Sequence, residues 1–175
     1  MDWYETVFEL IDMRSFSNLW YWIALATAWS TASHYVLGVP YDMVTRAERQ
    51  GGQAEADLHD VVRIRVARLL YVEDVSGLVL VGLGAAVLTT LALLGFVYAV
   101  EFAQAVFLIA APMSLVGWLS IRCAREIARS GLHGEALRDR LRRQRAVVQG
   151  IGMVAIFVTA MWGMYQNFGV ALPGY

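Results

Sequence analysis

The stretch that most constrains this chain is Val75 to Ile121, which carries one formal charge, Glu101, near its middle. On either side of that glutamate runs an apolar segment of about 20 residues, the length a helix needs to cross a bilayer core. Val75–Tyr98 is the first and Phe102–Ile121 the second, with only Ala99, Val100 and Glu101 between them. The pattern predicts two antiparallel membrane helices joined by a tight turn. Phe96, Tyr98 and Phe102 cluster at that turn, where aromatic rings favour the headgroup level. Composition agrees: 17% of the 175 residues are charged, against about 25% in a soluble domain.

Two more apolar runs extend the pattern. Phe16–Val39 predicts a membrane helix with Trp20, Tyr21 and Trp22 as an aromatic belt at one end and Tyr35 and Tyr41 at the other. Asn18 or Ser15 supplies its cap, and Pro40 ends or kinks it. Ala146–Phe168 predicts the fourth. The expected fold class is all-α: a single polytopic membrane domain over 1–175, with four transmembrane helices (16–39, 75–98, 102–121 and 146–168) in two long hairpins. Three ridges of small residues at four-residue spacing favour close helix approach. They are Ala24, Ala28 and Ala32; Gly82, Ala86 and Thr90; and Ala155, Thr159 and Gly163. Pro112 interrupts the third helix, where Ser114 is placed to help satisfy a freed carbonyl.

Residues 1–14 precede these runs. Asp2, Glu5, Glu9 and Asp12 share one helical face, and Trp3, Tyr4, Val7, Phe8 and Ile11 the opposite one. An amphipathic helix lying on the membrane surface follows. Its acidic face is open to two readings: a face kept outside by its lack of positive charge, or a docking face for a basic partner. No basic n-region opens the chain, so a cleavable signal peptide is not expected.

The polar segments, 41–74 and 122–145, carry every arginine except Arg14, and the chain has no lysine. By the positive-inside rule both segments face the cytoplasm and both termini the periplasm of a bacterial inner membrane. Within 41–74, Gln50-Gly51-Gly52-Gln53 predicts a turn, followed by a helix with Leu58, Val62, Val66 and Leu69 on one face. Alternation through Val62-Arg63-Ile64-Arg65-Val66 also suits a strand, but no partner strand is evident. Ser130-Gly131-Leu132-His133-Gly134 breaks 122–145 into two helical pieces. The densest charge run is Arg138, Arg140, Arg142, Arg143 and Arg145. It reads as a topology signal that attracts anionic lipid, or as a dock for an acidic partner. No aromatic residues interleave with it, so nucleic acid is not expected.

Chemistry-bearing motifs are sparse. Without lysine there is neither a Schiff base nor a P-loop. Cys123 stands alone, which excludes an internal disulfide and any CxxC site. His59, His133 and Cys123 lack metal-ligand spacing. His34 is the one histidine in a membrane run; it is a weak candidate haem ligand, since a b-type haem takes two axial ligands and a second would have to come from another copy. No catalytic residue, cofactor or metal is expected.

At MDWYETVFELIDMRSFSNLWYWIALA, HYVLGVPYDMV and FVTAMWGMYQN the chain resembles a family of small uncharacterised bacterial membrane proteins, over its full length. Labels given to that family include "component of SufBCD complex", which implies a link to iron–sulfur assembly. The resemblance carries over no catalytic residue. The sequence thus points to a non-catalytic accessory, assembly or structural subunit that contacts lipid and other membrane subunits or copies of itself. The alternatives are a small oligomeric channel or transporter lined by Thr89, Thr90 or Thr159, and a haem-associated subunit using His34.

Overall fold

The computed structural model describes residues 15–171. The surface helix expected over residues 1–14, with Asp2, Glu5, Glu9 and Asp12, lies outside them. A 3₁₀ turn, Ser15–Ser17, leads into α1 (Leu19–His34). A two-stranded hairpin follows, β1 (Tyr35–Val36) and β2 (Val39–Pro40), then α2 (Tyr41–Gln50). Three long helices complete the fold: α3 (Gly52–Ala92), α4 (Glu101–Ser130) and α5 (Gly134–Ala171). Among the described residues the chain is helical apart from its turns and the short strand pair, and α3, α4 and α5 are each long and apolar enough to cross a membrane.

The expected helix over 16–39 is corrected at both ends. Asn18 caps α1, its side chain accepting the Trp20 N–H at 3.0 Å, so the helix starts at Leu19. It ends at His34, well short of Pro40. Leu37 and Gly38 both have positive φ, 54° and 76°, as a two-residue hairpin loop requires. Val39 precedes proline and is held extended, pairing with Val36. At 16 residues, α1 is about 24 Å long.

The polar segments are continuous with the membrane runs. The helix begun after Gly51 (φ 58°) carries on through Val75 without a break, giving α3 its 41 residues and a length of about 60 Å. It closes in a π-helical turn, Leu93–Val97. The helical reading of 62–66 holds, and Leu58, Val62 and Val66 are all buried. Gly131, left-handed, terminates α4, and Gly134 opens α5.

The best-packed core sits at the charged end. There α2 and α3 bring Val44, Ala47, Leu58 and Val62 against Cys123 and Ala124 of α4 and Leu137 and Leu141 of α5. A smaller cluster, Leu25, Trp29 and Ala155, joins α1 to α5 midway along the apolar part. By contrast, the most apolar stretch of α3 has none of its residues buried. A soluble protein would invert this arrangement, because apolar surface left in water costs about 25 cal/mol per Å². The outward apolar face of α3 suits lipid or another apolar chain.

Candidate functional site

The arginine-rich end is the most elaborated part of the molecule. Three arginines of its densest run are held by carboxylates on other elements. Arg138 of α5 reaches Glu55 of α3 at 2.6 Å, Arg140 reaches Glu126 of α4 at 2.9 Å, and Arg142 reaches Glu48 of α2 at 2.8 Å. Arg142 also meets Asp139 at 3.3 Å, and the neighbouring Glu48 raises its already high pKa further. Arg145 donates to the Ser33 carbonyl at 3.2 Å and lies 3.8 Å above the Tyr41 ring, tying α5 to the end of α1. Arg125 pairs with Glu73, its Nε donating at 3.0 Å. Of the five arginines in the densest run, Arg143 and Arg145 have no carboxylate within ion-pair reach among the described residues.

These contacts place four of the run's arginines in the joints between helices. They lock α2, α3, α4 and α5 into one head around the buried core. Cys123 lies inside that core, fully buried. Burial pushes its thiol up to about 11; Arg140 pulls against the shift and Glu126 adds to it. An un-ionised thiol is neither nucleophile nor metal ligand.

The histidines separate. His34 is exposed at the end of α1, edge-on to Tyr35 with ring centroids 5.0 Å apart. His59 and His133 stack at 4.5 Å, which their distance in sequence did not foretell. His133 Nδ1 also contacts the Gly131 carbonyl. Among the described residues no three His, Cys, Asp or Glu side chains form a group able to hold a metal ion.

A second polar cluster, at the opposite end, escaped the sequence reading. Gln104, 3% exposed, donates to the Gly95 carbonyl at 2.8 Å and accepts from Trp162 Nε1 at 2.9 Å and Gln166 Nε2 at 2.5 Å. Glu101 accepts the Phe16 N–H at 2.8 Å, and Ser17 donates to Asn167 at 2.8 Å. These bonds close the turn end of the bundle. Gly95 is required there, since a Cβ would fall 2.9 Å from the Gln104 backbone nitrogen. One signal was available: amide side chains are costly at membrane depth unless satisfied, and Gln104, Gln166 and Asn167 fall at the same level of antiparallel helices.

The three small-residue ridges have different fates. Ala155, Thr159 and Gly163 are buried, and a Cβ on Gly163 would meet Phe16 at 3.4 Å. Ala28 and Ala32 are half-buried, while Ala24 is exposed. Gly82, Ala86 and Thr90 are all exposed, with open space beside Gly82. Thr159 is fully buried within one chain, so a pore shared between copies would have to draw on Thr89 and Thr90, both exposed on α3, the Thr90 hydroxyl donating to the Ala86 carbonyl at 2.9 Å.

Compared with protein-family models, curated proteins and solved structures, the chain matches none.

Proposed function

We propose that this chain is a non-catalytic accessory or structural subunit of the bacterial inner membrane, working within a larger membrane complex or a homo-oligomer. The observation that carries the reading is the outer face of α3. Its most apolar stretch is wholly exposed, and the ridge Gly82–Ala86–Thr90 lies on it with space for another helix backbone beside Gly82. Small residues at that spacing allow close approach between membrane helices. The head supports the same reading, because Arg125, Arg138, Arg140 and Arg142 join its helices to one another.

In this account four helices span the bilayer. α1 is short, but the 3₁₀ turn before it meets Gly163 and Glu101 at the turn end, and its last residues meet Arg145 at the arginine end. It therefore runs the same course as its longer neighbours. The arginine-rich head faces the cytoplasm and both termini the periplasm, by the positive-inside rule. Arg143, free of a carboxylate among the described residues, and the exposed parts of Arg142 would meet anionic lipid or a partner.

Purification from the native membrane in a gentle detergent, followed by mass analysis, tests the proposal. Stoichiometric unrelated subunits, or a stable homo-oligomer, are the expected results. A chain that elutes as a lone monomer would sink it.

A further inference from the structure

Two hollows lie in line along the face shared by α4 and α5, about one helical turn apart. The upper one, at the arginine end, is a cleft of about 570 Å³. Arg122, Arg125, Arg129, Arg140 and Arg143 line it, and Glu126 is the one carboxylate among its lining residues. Arg125 and Arg140 are paired with Glu73 and Glu126. Arg122, resting 4.7 Å over the Trp118 ring, Arg129 and Arg143 have no carboxylate within ion-pair reach among the described residues.

Gln144 lines the same cleft. It is 4% exposed, and its Nε2 has no hydrogen-bond partner among the described residues. A buried amide donor without an acceptor costs about 1–3 kcal/mol, and an acceptor entering the cleft would relieve that cost once the side chain turns outward. The positive charge around it specifies an anionic oxygen.

The lower hollow lies along the same stripes of both helices. From Arg129, Arg122 and Leu115 to Leu108 on α4 the step is one heptad, and Gln144, Ile151 and Val158 repeat it on α5. It is a trough of about 430 Å³ between Leu108, Pro112 and Leu115 on one side and Ile151, Val154 and Val158 on the other. Its lining is wholly apolar. Open space beside Gly150 leaves it unfilled. From Leu115 to Phe107 it runs about 12 Å, most of the half-thickness of a bilayer core of about 30 Å.

We infer that the two hollows together bind one anionic phospholipid, its phosphate held by Arg122, Arg129, Arg143 and the Gln144 amide and its acyl chain lying in the trough. Basic pockets between membrane helices on the cytoplasmic side recognise acidic headgroups in this way. A free phosphate ion would use the cleft and leave the trough empty; the apolar trough in line with it, at the depth of one leaflet, favours the lipid. The inference rests on the membrane reading above, but it does not depend on orientation or on a protein partner.

The test uses the full-length protein, delipidated in detergent, with its apparent Tm followed as phosphatidylglycerol, phosphatidylcholine or inorganic phosphate is added. Phosphatidylglycerol should raise the Tm at lower concentration than phosphatidylcholine. Arg129→Gln and Arg143→Gln should each raise the half-saturating concentration roughly fivefold, and Gln144→Leu should raise it too. Arg63→Gln removes an exposed arginine outside both hollows and should leave it unchanged. Gly150→Phe, which fills the trough, should abolish the phospholipid response. Equal responses to both lipids, or equal loss in Arg63→Gln, would overturn the site. Stabilisation by inorganic phosphate alone, untouched by Gly150→Phe, would overturn the lipid assignment. Partner loss on purification would bear on the subunit proposal without changing any of these readings.

Discussion

Replacing Gly152 by alanine asks whether α1 is a true member of the bundle. Gly152 is buried on α5, and a Cβ there would lie 2.7 Å from Cε3 of Trp29 and 3.2 Å from its Cδ2. Trp29 is itself 4% exposed, wedged with Leu25 and Ala155 and backed by Ile109, Met113 and Ile151, so its ring has nowhere to retreat. Overpacking of this kind costs about 1–3 kcal/mol. Alanine returns about 1 kcal/mol through helix propensity, which leaves a net loss of about 1 kcal/mol. Gly150 provides the comparison, two residues away on the same helix with nothing within 4 Å of its Cβ. Gly150→Ala should therefore be neutral or slightly stabilising. Trp29→Leu removes the offending ring, so Gly152→Ala should cost nothing in that background. The two substitutions should couple by about 1–3 kcal/mol, the overpacking cost that removing the ring relieves. Unfolding in mixed micelles of increasing denaturing detergent, followed by circular dichroism, measures all four proteins of the cycle. Strict additivity, or a Gly152→Ala as benign as Gly150→Ala, would refute the packing of α1 on α5.

Further expectations concern the two polar clusters. Gln104→Leu strands the Gly95 carbonyl and the Trp162 and Gln166 donors, so it should lower stability by about 2–4 kcal/mol in the same unfolding assay. Glu55→Gln and Arg138→Gln, at a partly exposed pair, should each cost about 1 kcal/mol or less, and the double variant little more than either alone. Cys123 should resist alkylation at pH 8 in the folded protein and react once unfolded. Its thiol is raised from 9.0 to about 11 in the fold, so the stabilisation is complete below about pH 9 and is lost as pH rises toward 11. The slope there should approach 1.4 kcal/mol per pH unit, as one pKa unit corresponds to about that much. Cys123→Ala should lack it.

Much of the helical layout could be read from the residues. The charge-poor run 75–121, the glycines at 51, 131 and 134, and the spacing of Leu58, Val62 and Val66 each act locally, through hydropathy, backbone freedom or helical period. What could not be read depends on partners distant in sequence. Arg138 and Arg142 look like a surface charge run until Glu55 and Glu48 are brought to them across 83 and 94 residues. The early end of α1 was hidden because Tyr35–Val39 is as apolar as a helix continuing. The helix ends where Tyr35 turns extended into the hairpin that Leu37 and Gly38 close. Gln144 read as one more polar residue in a charged segment; its burial beside unpaired arginines appears only when α4 and α5 meet.

The central claim is that the outer face of α3 is covered by protein in the native membrane. A photoreactive amino acid placed at Ala86, exposed on the ridge with Gly82 and Thr90, tests it in intact membranes. The account predicts a discrete protein adduct, either a partner subunit or a second copy, on illumination. Adducts with lipid alone at Ala86, as at Phe157 on the exposed side of α5, would contradict it.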